Sequence, residues 1–307
     1  MIGAGRWGKI YIATIQRLAN VQLTWLASQN PLNAHLAPAG CKFTTRWQEM
    51  LTDPSLNGII IATPPALHVE MACAAVKAGL GALVEKPLSL NLAEALELSK
   101  LVAEYKGCVR VDHTYLYHPA YRKLKEIVSS QQKPMRVRSV GGNWGPFRTQ
   151  FPILWDWGAH DIAMCLDLFG RYPTSIEGQC IEMQRVNEEE GALYLIRLSF
   201  GADSWAEIMI GNLMKQRTRL FEVQVGNTVL VMDDTVNFDS KLKICRSGEF
   251  QEERTIPIEH ELPLDRVVLD FSKALRFHDS DPTTLLLGVD VVRVLTKLQN
   301  EIIEKNL

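Results

Sequence analysis

Three side chains in this sequence are of types that manage protons and charge near neutral pH: Lys86, Asp156 and His160. Lys86 lies in LVEKPLS (83–89), where an apolar run delivers Glu85, Lys86 and Pro87 in succession. An adjacent acid and base at the end of a buried strand are costly unless they have a task. An ammonium placed there can hold a hydroxyl and stabilise the charge that develops on its oxygen as the proton leaves; the plainer alternative is a Glu–Lys pair at a strand end. Asp156 and His160 stand four apart in WDWGAHD (155–161), so a helix puts both on one face. An imidazole titrates near pH ~6.5, which suits proton exchange at neutral pH. The carboxylate one turn earlier would orient that ring or bind a substrate hydroxyl. The same spacing also serves a stability pair or half of a metal site, but no further His or Cys stands nearby at ligand spacing, so no metal is expected.

A second group of residues could hold a ligand rather than react with it. The chain opens MIGAGRWGKI, in which Gly3, Gly5 and Gly8 form a G-x-G-x-x-G leading into a helical pattern. Such glycines let a strand turn tightly into a helix whose first amides, here those of Arg6 and Trp7, face a pyrophosphate. The alternative is a tight turn packed on a helix without a ligand. The acid expected about 20 residues further on, for the adenosine ribose, is missing, because the next strand ends Ala27-Ser28-Gln29-Asn30. Ser28 and Gln29 can hydrogen-bond a ribose or a phosphate, so NAD and NADP both stay open, and the missing negative charge leans toward tolerance of NADP. IIIATPPALH (59–68) ends an apolar strand in Thr63-Pro64-Pro65, and loops at the carboxyl edge of a parallel sheet line ligand crevices. His68 is placed either to touch the cofactor or to serve the helix that follows.

The elements that must carry these residues read as two domains. Helical or strand patterns alternate through residues 6–19, 21–27, 58–63, 66–79, 80–86, 92–107 and 108–113, the pattern of a doubly wound parallel sheet. Residues 118–130 read as an amphipathic helix with Pro119 in its first turn, 135–144 as a strand, and 154–170 as a helix closed by Gly170. Residues 175–246 are mostly strands joined by hairpin-type turns such as FGADS and VGNT, and two helices, 264–278 and 284–305, end the chain. The expected fold class is α/β. An N-terminal Rossmann domain (1–112) precedes a C-terminal α/β domain (113–307) with a large, mostly antiparallel open sheet, and the last helix is free to pack back on the first domain.

The 307 residues are 47% hydrophobic and 22% charged, with a formal net charge of −2, enough for two cores and no basic field for nucleic acid or an acidic membrane. Six scattered cysteines without a C-x-x-C suggest neither a disulfide framework nor a zinc site and point to a reducing, cytoplasmic setting. No apolar run reaches the ~18 residues of a membrane span, and the glycine-broken N-terminus is a poor signal peptide.

Taken together, G-A-G-R-W-G, A-T-P-P-x-x-H, E-K-P and D-x-x-x-H resemble the Gfo/Idh/MocA family of oxidoreductases, that of glucose–fructose oxidoreductase and inositol dehydrogenase. The resemblance also covers VDHTYLYHPAYRKLKEI (111–127), VMDD (231–234) and LLGVDVVRVL (286–295). HTYLYHPAYRKLK and LWDWGAHDI look most like members associated with sugar-nucleotide and polysaccharide metabolism. The family implies NAD(P), oxidation or reduction at a sugar or polyol hydroxyl, and a C-terminal sheet through which homo-oligomers form. Carried onto this chain, it makes His160 the general acid/base, Lys86 the holder of the reacting oxygen, and Asp156 a substrate ligand or a guide for His160. It sets Gly3, Gly5 and Gly8 at the pyrophosphate, Thr63, Pro64 and His68 beside the cofactor, and Glu85 near it. Tyr117, Trp144 and Arg148 are expected as substrate walls, with packing or surface charge as their alternative. Rival readings are a redox-sensing, non-catalytic binder of NAD(P) and a methyltransferase. The retained Lys86, Asp156 and His160 argue against the first, and E-K-P against the second. Two departures from the family stand out. FRTQFPIL replaces the Gly-Gly common shortly before the Asp, and only Met1 and Ile2 precede the glycine turn. The second departure is expected to reflect an internal start or a truncation, with restored upstream apolar residues raising the melting temperature.

Overall fold

The structure is a computed structural model that describes residues 1–129, 131, 134–147, 152–186, 188–201, 203–246 and 253–305. Numbered in chain order, its helices are α1 (Arg6–Arg17), α2 (His68–Lys77), α3 (Leu92–Tyr105), α4 (Pro119–Ser129), α5 (Ile153–Phe169), α6 (Pro263–Arg276) and α7 (Thr283–Lys305). Its strands are β1 (Trp25–Ala27), β2 (Lys42–Thr44), β3 (Gly58–Ile61), β4 (Gly81–Glu85), β5 (Val109–Asp112), β6 (Met135–Trp144), β7 (Ser175–Val186), β8 (Glu189–Gly201), β9 (Ser204–Gly211), β10 (Leu213–Val225), β11 (Thr228–Asp233), β12 (Leu242–Arg246) and β13 (Arg254–Thr255). The chain divides into two compact units, Met1–Thr114 with Leu262–Val292, and Tyr115–Glu261 with Arg293–Leu307. Sequence patterning assigns everything after residue 112 to the second domain, whereas the first unit of the structure also takes in α6 and the first half of α7.

In the first unit, β3, β4 and β5 run parallel and β1 pairs parallel with β2. Ile2 joins the two groups by parallel bridges to Ala27 and Ile61. The two-residue lead-in is therefore the central strand of a doubly wound sheet. Ile2 donates to Ile60 (2.8 Å) and accepts from Ala62 (2.8 Å), while Gly3 donates to Ala27 and Ala27 donates to Met1 (2.9 Å each). β4, GALVE, is buried along its whole length, as expected of a strand covered on both faces. On α1, Tyr11, Ile12 and Ile15 are buried, and Arg17 pairs with Asp265 of α6. α2 stops at Gly79 (φ +76°), where the sequence places its end. α3 ends two residues earlier than expected, because Lys106 itself takes the left-handed conformation (φ +52°).

The second unit is built on an eight-stranded sheet in the order β13-β12-β11-β10-β6-β9-β8-β7. β6 and β9 are parallel and the other neighbours antiparallel. Alternation along the strands buries one face: Ile196, Ile208, Ile210, Phe221 and Val223 are at most 3% exposed. α5 and the end of α7 lie with that core. Trp155 of α5 donates its indole N–H to Gln299, and Gly178 of β7 leaves room for Leu298 and Ile302. On the opposite face Leu195, Met209, Val140 and Leu220 stand in register across β8, β9, β6 and β10, each only partly covered. Among the described residues, no helix is long and apolar enough to cross a membrane.

Candidate active site

The three glycines of the opening turn have three different physical jobs. Gly3 takes φ +100°, and a Cβ there would run into the carbonyl of Ala62. At Gly8 a Cβ would run into the carbonyl of Gly3, so only a bare α-carbon lets α1 pack against the turn. Gly5 differs: its backbone is ordinary (φ −72°, ψ −160°), and among the described residues nothing lies within 4 Å of where its Cβ would stand. Gly5 is the N-cap of α1 and has no side chain with which to cap it, and Arg6-Trp7-Gly8 brings no acid to the first turn. Open space over uncapped helix amides fits a pyrophosphate, since the amides and the helix dipole both favour an anion there.

The neighbouring strand ends supply the rest of this edge. Ser28 follows β1, donates its N–H to Thr44 (3.0 Å), and its hydroxyl accepts from Asn33 (2.8 Å). No carboxylate follows β1 within Ser28-Gln29-Asn30, and the Asn30 side chain is used to cap the next turn. Thr63 and Pro64 leave β3, Thr63 partly covered and Pro64 exposed. His68 is fully buried, its Nδ1 2.9 Å from Pro87 O and its Nε2 2.8 Å from Thr63 O. Burial lowers its pKa. Its ring thus ties the loop after β3 to the loop after β4.

Lys86 follows β4, half-buried, at the same carboxyl edge of the sheet as the glycine turn. Behind it lies a cluster of which the sequence reading singled out Glu85 alone. Glu85 and Asp112 are register partners on β4 and β5, both buried. Tyr11 of α1 donates its hydroxyl to Asp112, Thr114 donates to the other Asp112 oxygen (2.7 Å), and Glu85 accepts from the N–H of Lys86 (3.1 Å). Burial raises both carboxyls above their usual range, Glu85 the more strongly because the Asp112 charge adds to the effect; the Lys86 ammonium works the other way. Burial, helped by the Lys86 charge, lowers His113 to about 3. A carboxyl whose folded pKa is raised stabilises the fold at low pH and loses that contribution as pH rises through the folded value. The buried histidines act in the opposite direction through about pH 6.5, so the comparison with a variant isolates the pair. Asp112→Asn is expected to lose less stability than the wild type as pH rises above the ordinary carboxylate range, with a slope difference of up to ~1.4 kcal/mol per pH unit for one proton. Urea unfolding across that rise measures it, and parallel curves would show that the pair holds no extra proton.

In the second unit, Asp156 and His160 lie one turn apart on α5, both partly exposed. The Tyr115 ring meets His160 edge-on, with centroids 5.2 Å apart and planes at 77°. Tyr117 is partly covered, Trp144 is 51% exposed and touches Phe147 edge-on, and Arg148 lies outside the described residues. Among the described residues, no group of three or more His, Cys, Asp or Glu is arranged to hold a metal ion.

A doubly wound sheet, a bare glycine cradle at the start of its first helix and a lysine at the same edge define a nucleotide-binding oxidoreductase class. The match of residues 1–113 to the Gfo/Idh/MocA model, described as an oxidoreductase family with an NAD-binding Rossmann fold, makes that specific. The chain belongs to the Gfo/Idh/MocA family, whose cofactor is a nicotinamide dinucleotide. It is similar to the crystal structure of a putative oxidoreductase from Magnetospirillum magnetotacticum MS-1, with 38% identity over 96% of this chain and 97% of that one and a TM-score of 0.89. It is 24% identical to the uncharacterized oxidoreductase YrbE of Bacillus subtilis over 78% of this chain and 79% of that protein. It is 30% identical to the scyllo-inositol 2-dehydrogenase (NAD(+)) of the same organism, over 42% of this chain and 40% of that protein's length.

Proposed function

We propose that this protein transfers a hydride between NAD(P) and a CH–OH carbon of a sugar, polyol or sugar nucleotide. The observation that carries the reading is Lys86, delivered by a buried strand to the sheet edge that also holds the open glycine cradle. The likeness to an inositol dehydrogenase supports the substrate class.

In this reading the amides around Gly3, Gly5, Arg6, Trp7 and Gly8 hold the pyrophosphate. Ser28 meets the adenosine ribose, Thr63 and Pro64 form a wall of the site, and His68 fixes the two loops between which it is buried. The bound dinucleotide supplies a hydride acceptor or donor at the nicotinamide. Lys86 donates to the reacting oxygen and stabilises its growing charge. His160 takes the hydroxyl proton in oxidation and returns it in reduction. Asp156 binds a neighbouring hydroxyl or steers His160, and Tyr117 and Trp144 wall the substrate. The buried Glu85–Asp112 pair lies behind the lysine.

A screen of sugars, polyols and nucleotide sugars with NAD and with NADP, read by absorbance of the reduced nicotinamide, tests this. Turnover of a carbohydrate alcohol is the expected result. Tight dinucleotide binding with no turnover of any of them would replace the enzyme with a non-catalytic binder.

A further inference from the structure

We propose that Tyr115 is a positioning residue for His160, held by an Arg219–Asp161 ion pair that starts on the residue next to the histidine. The proposal rests on the reading of His160 as the proton carrier. Arg219 of β10 places its guanidinium carbon 4.0 Å from the centre of the Tyr115 ring. The same guanidinium donates from Nη1 to both Asp161 oxygens, at 2.8 and 2.7 Å. Asp161 is fully buried and also accepts from Ser139 of β6. Gly141 of β6 makes this possible, because a Cβ there would stand 2.5 Å from Arg219 Nη1. The far end of Tyr115 is fixed as well. Its hydroxyl donates to Asp234 (3.2 Å), a carboxylate that also accepts from His118 Nε2 (3.2 Å) and from Lys241. Burial would raise Asp234, but the hydrogen bonds from His118 and Lys241 outweigh it and hold this carboxyl well below its usual range. Asp234 is therefore a carboxylate at neutral pH and a permanent acceptor for Tyr115.

The arrangement is costly for mere filling. A buried Arg–Asp pair gives up hydration that its mutual attraction barely recovers, and apolar residues of like volume would be as stable. What it adds is direction. A cation on the ring and a carboxylate on the hydroxyl leave Tyr115 one orientation, and its contact with His160 then limits how the imidazole can turn. The charged and titratable groups around this ring are Arg219, Asp161, Asp234, His118 and Lys241, with Asp156 one turn away on α5. A general acid/base acts efficiently only from within hydrogen-bond reach of its proton and in the right orientation.

The test uses the intact protein with 15N-labelled histidine, with histidine and tyrosine side chains protonated and all others deuterated. In the wild type, a nuclear Overhauser effect is expected between the Tyr115 and His160 ring protons, and its absence would overturn the proposal without any variant. In Tyr115→Leu the His160 ring signals are expected to move beyond their linewidth while those of His35 and His260 stay in place. Tyr115→Phe keeps the ring and is expected to retain most of the wild-type His160 signal. With the alcohol found by the substrate screen, Tyr115→Leu is expected to lower kcat about tenfold or more with KM within about twofold, Tyr115→Phe restoring most of it. Unmoved His160 signals in a folded Tyr115→Leu protein would refute the positioning role. If instead His160→Asn leaves kcat unchanged, the proton-carrier reading fails, and the ring signals still decide whether Tyr115 sets the imidazole.

Discussion

Replacing Lys86 by alanine is expected to lower turnover by about 10²–10³-fold while NAD(P) affinity stays within a few-fold. Removing one preorganised donor from a developing oxyanion has this order of effect in other enzymes. One feature of the first unit argues for the upper end: Lys86 is only partly exposed, so a water that replaces its ammonium is poorly placed to do the same work. Lys86→Arg is not expected to rescue, because a planar, forked guanidinium cannot replace a compact ammonium at a strand end. The cradle for the dinucleotide lies in other residues, so binding should survive. Stopped-flow turnover and dinucleotide titration by tryptophan fluorescence separate the two effects. Near-normal turnover in Lys86→Ala would remove the residue from the chemistry.

The sequence carried the parts of this protein whose chemistry is local. G-x-G-x-x-G is a six-residue statement about a turn, and GALVE followed by Lys86 is a strand and its end. Asp156 and His160 share a face by helical spacing alone. The groups it hid are set by contacts distant in sequence. Tyr11 reaches Asp112 across 101 residues and Arg219 reaches Asp161 across 58. A signal for the first was available: Asp112 closes the apolar run CVRVD as Glu85 closes GALVE. Aligning two parallel strands at their carboxyl ends puts the acids side by side, and reading each strand singly loses that. For the second, Asp161 adjoins His160, but only the sheet order brings β10 beside β6 and so brings Arg219 to it. The central strand is legible only from the glycine turn that has to follow a strand, because one bridged residue has no periodicity to detect; its partners Ala27 and Ile61 emerge from the fold.

The same cradle gives a pair of substitutions with opposite signatures. Gly5→Ala is expected to leave the melting temperature of the free protein unchanged or slightly raised and to weaken dinucleotide binding about 10–100-fold. Gly8→Ala is expected to destabilise the free protein by about 2–4 kcal/mol. At Gly5 the backbone angles suit alanine and no described atom is near the new methyl. Two stability terms are left and they oppose each other: lost unfolded-state freedom favours alanine by about 0.4–1 kcal/mol, while alanine is a poorer N-cap than glycine. The methyl then stands in the space a pyrophosphate needs for close approach to the helix amides. At Gly8 the methyl meets the carbonyl of Gly3, and backbone, unlike a flexible side chain, cannot swing aside. Because Gly3 is itself hydrogen-bonded to Ala27 in the sheet, relief means shifting either α1 or the central strand, and overpacking of that kind costs kcal/mol rather than tenths. Thermal unfolding of the free proteins and titration with NAD and NADP read the two effects independently. An unchanged Kd in Gly5→Ala would place the pyrophosphate elsewhere, and with it the assignment of this edge as the cofactor site would fall.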